Sequence, residues 1–181
     1  MPSDKNYPIA SNEAERLQVL NDLHILDTRN EAQLDHITQM VAGLFSAPIV
    51  LVSLVDHNRQ WFKSCVGLDA DQTPREDAFC NYAIIDDEGY EVVDAKNDPL
   101  FADNRLVTGA PHIRYYLGSP VKVLGQRIGT LCVIDTEPRA AASPEQRKLL
   151  ADFALLVARE IEVRETLRQT LQTVRGSLQF G

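Results

Sequence analysis

Long apolar runs are missing from this chain of 181 residues. No stretch approaches the ~18 consecutive apolar residues of a membrane-spanning helix, so none is expected. Residues 1–10 have neither a basic start nor an apolar core, which predicts no signal peptide. Cysteine is scarce. Cys65, Cys80 and Cys132 are an odd, widely spaced set without a CxxC pair. That argues against a disulfide framework and against a structural zinc site. The expectation is a reduced, cytoplasmic protein whose thiols serve as small apolar groups. Positive charge is also short, with 18 lysines and arginines against 26 acidic residues and a net charge of -8. Such a field repels duplex nucleic acid and anionic bilayers, so neither is expected as a partner.

The common enzyme signatures are absent as well. There is no GxGxxG, no GxxxxGK[ST], no GxSxG and no HExxH. The four histidines (His24, His36, His57 and His112) never fall at i, i+4. Asp56, Asp86, Asp87 and Asp135 follow strands or sit in turns, where aspartate stabilises the backbone. No carboxylate pair stands out as an acid/base couple.

What is present is ordinary globular composition, 44% hydrophobic and 24% charged, enough for one folded domain with an appendage. Residues 1–10 read as a flexible arm. Asn12 and Glu15 open a helix carrying Leu17, Leu20 and Leu23. Thr28 to Glu31 has the spacing of a capping box for a second helix with Leu34, Ile37, Val41 and Leu44 on one face. Ile49–Val55 is a short apolar run that fits a strand covered on both faces. Gln60–Val66 returns as its hairpin partner, and residues 69–77 read as a loop. Residues 78–85 suit a short helix, Tyr90–Asp94 a short strand, and residues 95–112 a long irregular connection of the kind that carries function. Ile113–Val123 and Arg127–Ile134 form a second hairpin around Gly125. Ser143-Pro144-Glu145-Gln146 is a strong helix start, and that helix runs unbroken to about Arg175, roughly 50 Å. Hairpins with helices at the chain ends give an α+β domain with an antiparallel sheet.

Particular strings then become informative. They are Pro48–Asp56, Arg59–Ser64, Thr73–Arg75, Phe79–Ile84, Val93–Ala95, Asp98–Asn104, His112–Tyr116 and Ile128–Asp135. In this order they resemble a bacterial GAF domain of the subgroup that precedes histidine kinase, diguanylate cyclase or phosphodiesterase modules. Glu15–Leu17 and Ile25–Thr28 resemble the opening of that subgroup. The resemblance covers about residues 13–160. It implies a GAF-like (PAS-like) sheet of about six strands, end helices on one face and a pocket on the other. The domain is then expected over residues 11–160, with 161–181 as a helical extension. The implied role is a sensory module for an unidentified small molecule, without chemistry of its own and attached to a signalling output domain.

The site expected from these strings is bounded by Trp61 or Phe62, by Phe79 and Cys80, by Asp94 and Asp98, and by His112, Arg114, Tyr115 and Tyr116. Neighbours on a strand face opposite ways, so one of Trp61 and Phe62 belongs to the helix-packed core. Arg114 either grips a carboxylate or phosphate or pins the loop through Asp98 or Asp103. Asp94 and Asp98 equally suit turn caps. Cys80 is a redox sensor, a haem ligand or, as favoured, an inert buried thiol, because no cation lies near it in sequence. Cys132 and Cys65 read as core. The cofactor is undefined. Covalent bilin is disfavoured because no cysteine lies between Cys80 and Cys132. No convincing copy of a cyclic-nucleotide signature is present. The alternatives are a free methionine-R-sulfoxide reductase using Cys80 and a ligand-free interaction scaffold.

Along the last helix, Leu149, Leu150, Phe153, Leu156, Val157 and Ile161 suit packing on the sheet. Leu167, Leu171, Val174 and Leu178 then follow a 4-3-4 spacing, flanked by Glu160, Arg164 and Arg168. This predicts a parallel homodimer through a C-terminal coiled coil.

Overall fold

The structure is a computed structural model that describes residues 6–178. The expectations for residues 1–5 of the arm, for residues 179–181 and for the Leu178 side chain lie outside the described residues. The elements run α1 (Glu13–Asp22), α2 (Ala32–Phe45), β1 (Ile49–Val55), β2 (Arg59–Val66), β3 (Gln72–Pro74), α3 (Cys80–Ala83) and β4 (Tyr90–Val92). They continue with α4 (Arg105–Thr108), β5 (Tyr115–Val123), β6 (Gln126–Asp135) and α5 (Pro144–Leu178). One antiparallel sheet results, in the order β3-β2-β1-β6-β5-β4. All seven residues of β1 are buried, because it lies inside the sheet and is covered on both faces. The segment read as a loop at 69–77 contains the edge strand β3. Pro74 is tolerated there because an edge strand needs no amide donor on its outer side.

The three long helices cover one face. Val50, Val52 and Leu54 of β1, Trp61 of β2, and Leu131 and Val133 of β6 meet Leu20, Leu34, Val41, Leu150, Val157 and Ile161. The packed face of α5 differs from the expectation. Leu150, Ala154, Val157, Ala158 and Ile161 are buried, whereas Leu149 and Leu156 face outward. Small Ala154 and Ala158 let the helix approach the sheet. Its start is the reciprocal cap expected: Ser143 Oγ accepts from the Gln146 amide and Gln146 Oε1 from the Ser143 amide.

The other capping box does not form. Thr28 Oγ1 donates to Ile25 O, and Glu31 forms ion pairs with Lys63 at 2.9 Å and Arg164 at 2.7 Å. Lys63 is fully buried, and a buried ammonium needs a carboxylate more than a helix end needs a cap. Arg164, expected to flank a coiled-coil seam, is used in this clamp. It also donates to Leu23 O at 3.0 Å.

A second ionic knot fixes α1. Arg16 is fully buried; its Nη1 donates to Val55 O at 2.6 Å and its Nη2 to Glu13 at 2.8 Å. Arg75, equally enclosed, donates from Nη1 to the same Glu13 oxygen at 2.6 Å. Burial pushes the Glu13 carboxyl up, but hydrogen bonds from Arg16 and Arg75, with their charges, outweigh it and hold it at about 2. The folded value lies below the ordinary 4.5, so the stabilisation is complete above that pH and is lost as pH falls toward 2. Glu13→Gln should cost ~2 kcal/mol at neutral pH, a figure already reduced for solvent screening. Urea unfolding followed from pH 6 down to pH 3 should show a steeper loss in the parent chain than in the variant. Parallel curves would contradict the role given to Glu13.

Candidate functional site

The sheet face away from the long helices is covered by α3 and by the 95–113 connection that carries α4. Ring packing fills this space. Phe79 stacks on Phe101 with centroids 4.1 Å apart, and Tyr116 lies 5.3 Å from Phe79. Tyr82 meets Phe101 edge-on at 5.0 Å and Tyr90 at 5.2 Å. Tyr116 can lie along its own strand only because residue 118 is glycine; a Cβ there would run into the Tyr116 hydroxyl.

A small polar cluster sits beneath the rings. Cys80 Sγ accepts hydrogen bonds from Thr130 Oγ1 at 3.1 Å and from the Tyr116 hydroxyl at 3.3 Å. Hydrogen bonding from the Cys132 thiol draws the Cys80 thiol down. Burial opposes this, and the Thr130, Tyr116 and Ser53 hydroxyls reinforce it. Cys132 moves the opposite way, first through Cys80 and then through burial. Burial also raises the Tyr116 hydroxyl.

At the end of the 95–112 connection lies an open basin of about 400 Å³, lined by Lys96, Ala102, Val107, Thr108, His112, Arg114 and Thr136. Three of these side chains are basic and none is acidic. The turn is built by a cis Ala110–Pro111 bond and by His112 at φ 63. Arg114 is pinned by Asp94, through Nε at 2.7 Å and Nη2 at 3.0 Å, rather than by Asp98 or Asp103. Hydrogen bonding from Arg114 holds the Asp94 carboxyl at about 2. Asp98 caps a turn, accepting from the Leu100 amide at 2.8 Å.

The ten residues expected to share a site therefore separate into three groups. Phe62, Phe79, Cys80 and Tyr116 come together in the filled interior. His112 and Arg114 line the basin, with Asp94 holding Arg114 and Asp98 capping the loop. Trp61 and Tyr115 lie on the helix-covered face, because strand alternation sends them opposite to Phe62 and Tyr116. Tyr115 donates there to Glu91 at 2.8 Å. Sequence reasoning overlooked Phe101 and Lys96, although both sit in or beside the quoted strings. It also missed Thr130, which nothing local marks.

A larger cleft of about 740 Å³ is lined by Asn6, Tyr7, His57, Asn58, Pro74, Glu76, Asp77 and Arg105. Its one arginine is engaged by its own two carboxylates, Arg105 being paired to Asp77 at 2.9 Å and also to Glu76, so the lining is net acidic. Among the described residues no cluster of three or more His, Cys, Asp or Glu side chains is arranged for a metal ion. Nor is any helix among them long and apolar enough to cross a membrane.

The sheet order, the helix layer and the loop-covered face are those of one family. The GAF domain family matches residues 29–161, and the chain belongs to it. Its sequence is 41% identical over 164 residues to a cyclic di-GMP phosphodiesterase of Pseudomonas aeruginosa. That match covers 90% of this chain but 27% of the relative, so the chain spans about a quarter of its length. The fold is similar to the GAF domain of a phosphoenolpyruvate-protein phosphotransferase from Coxiella burnetii. There the TM-score is 0.64 at 17% identity, covering 88% of this chain and 99% of that one. It is also similar to a type II free methionine-R-sulfoxide reductase from Thermoplasma acidophilum. That TM-score is 0.59 at 20% identity, covering 72% of this chain and 90% of that one. These likenesses agree with a GAF domain of the kind carried by signalling proteins.

The ring cluster holds the loop-covered face together. Phe101→Ala should leave a void between Phe79 and Tyr82 and cost ~3–5 kcal/mol in urea unfolding. A loss below ~1 kcal/mol would mean that the cluster is loosely packed.

Proposed function

We propose that the domain is a non-catalytic regulatory input module that binds a small organic anion in the basin at Lys96, His112 and Arg114. The observation that carries this reading is the basin's lining: basic groups and threonines over an apolar floor of Ala102 and Val107, in a chain of net charge -8. Cationic donors favour carboxylate or phosphate, and the apolar floor favours an organic body. A hydrogen-bonded path supports transmission from there. The Arg114 amide donates to Asp135 O at 2.8 Å, and Asp135 accepts from Arg139 Nε at 2.7 Å. Arg139 then donates to Phe45 O and Ser46 O, both at 2.7 Å, at the end of α2. A ligand acts through this path only by binding two arrangements of it unequally. The reductase alternative needs a thiol open to substrate, and both Cys80 and Cys132 are enclosed. The similarity to the phosphodiesterase supports an output domain following α5 in the native protein.

The test is a thermal-shift and calorimetric screen of dicarboxylates, amino acids and nucleoside monophosphates. At least one class should raise the melting temperature saturably. In Lys96→Ala/His112→Ala its affinity should fall about tenfold or more, the loss expected for one charge-assisted hydrogen bond and one further polar contact. Binding that ignores this double change would move the ligand site elsewhere.

The second element of the proposal is a parallel homodimer along α5. Leu149, Leu156 and Val163 recur every seven residues on its outer side, and Leu167 and Val174 continue the stripe. Val163 is 61% and Leu167 59% exposed in the single chain. A second copy of the same stripe would cover them by knobs-into-holes packing. Leu167→Asp/Leu171→Asp should convert dimers to monomers in light scattering. An unchanged mass would remove the coiled coil from the account.

A further inference from the structure

Cys80 and Cys132 belong to different elements, yet the sheet brings them to one spot. Thr130 and Cys132 project from the same side of β6, two residues apart. Thr130 Oγ1 lies 3.1 Å from Cys80 Sγ. Across the sheet, Cys132 pairs directly with Gly118, and the Tyr116 hydroxyl that lies over Gly118 is 3.3 Å from Cys80 Sγ. The Cys80 sulfur is thus bracketed by the two hydroxyls that flank Cys132 along and across the sheet. Both sulfurs belong to one buried cluster on this face of the sheet. An inert core cysteine meets alkyl groups, whereas the Cys80 sulfur takes hydrogen bonds from two hydroxyls inside an otherwise apolar cluster.

We propose that Cys80 and Cys132 are an oxidation site, at which a small hydroperoxide converts the two thiols into a disulfide with Cys80 as the attacking sulfur. The hydroxyls converging on Cys80 favour its thiolate, and hydrogen bonds to the charged form are what make a thiol reactive. In the first step the Cys80 sulfur attacks a peroxide oxygen and the O–O bond breaks. With hydrogen peroxide, the departing hydroxide takes the proton released by Cys80 and leaves as water, and Cys80 becomes a sulfenic acid. In the second step the Cys132 sulfur attacks the Cys80 sulfur. The S–S bond forms, the S–O bond breaks, and the hydroxyl leaves as water with the Cys132 proton. Two thiols lose one electron each and the peroxide gains two. The third thiol, Cys65, is set apart: its sulfur donates to Leu68 O at 3.3 Å, and burial raises it.

The site is enclosed, which restricts the oxidant to a small molecule. Its oxidation acts on a sensitive place. Asn81, the next residue, accepts from Arg75 Nε at 3.0 Å and donates to Arg75 O at 2.6 Å. Arg75 in turn holds Glu13 of α1. Tying Cys80 to β6 therefore pulls on the ionic knot that seats the first helix. The inference does not depend on the anion basin.

The chain is treated with hydrogen peroxide under native conditions, then denatured, alkylated and peptide-mapped. Two of the three thiols should disappear as a Cys80–Cys132 disulfide that dithiothreitol reverses, while Cys65 stays alkylatable. In Cys132→Ala, dimedone should trap a sulfenic acid at Cys80. Thr130→Val, which keeps both thiols and the side-chain shape, should slow disulfide formation about tenfold through loss of one donor to the thiolate. Oxidation at Cys65 alone, full recovery of alkylatable Cys80 and Cys132, or a rate unaltered by Thr130→Val would each overturn the proposal.

Discussion

Two guanidinium groups without access to water, Arg16 and Arg75, impose the constraint around which this domain is arranged. A buried cation must be paired and hydrogen-bonded or it costs several kcal/mol. Glu13 meets both, with Arg16 also reaching Val55 O and Arg75 reaching Asp56 O and Asn81. One carboxylate thereby joins α1, the β1–β2 turn and α3. α1 is short and has neither a side-chain cap nor a strongly apolar face. Its place depends on this knot more than on its own propensity. Among the described residues Arg75 Nη2 has no hydrogen-bond partner, and the Tyr7 ring lies over the guanidinium at 5.4 Å.

The sheet separates two environments. On one face aliphatic side chains seat the long helices, and the Glu31–Lys63–Arg164 clamp holds α2, β2 and α5 in register. On the other, rings and a hydroxyl–thiol cluster fill the space beneath the loops. The basin is displaced to the rim of that second face. Its Arg114 is joined through Asp135, at the end of β6, to Arg139. The filled interior accounts for the stability of the loop-covered side, and the rim supplies polar groups that water can reach.

Periodicity and breakers located the long elements, because strongly patterned segments carry their burial in their own residues. β1 with its seven apolar positions, the β5–β6 hairpin at Gly125 and the capped start of α5 were legible in this way. The turn roles of Asp56, Asp86 and Asp135 also follow local rules, each accepting an amide one or two residues on. Asp87 departs from them, since Lys122 and Arg127 from the distant hairpin claim it. Thr28 and Glu31 departed for the same reason, once buried Lys63 had to be neutralised.

The ordered strings identified the GAF family and hence the sheet and its helix layer, since hydrophobic pattern and turn chemistry are written along the chain. Which candidate residues meet was not written there. Strand alternation fixes that Trp61 and Phe62 diverge, but only the packed sheet assigns the face each takes. It sends Tyr115 to the helices and Tyr116 to the thiols. The pairing of Arg114 with Asp94, the outward stripe of α5, and the meeting of Cys80 with Thr130 and Tyr116 are all products of distance in space. A charge or a thiol is satisfied by whatever group the fold brings within about 3 Å, and sequence separation places no limit on that choice.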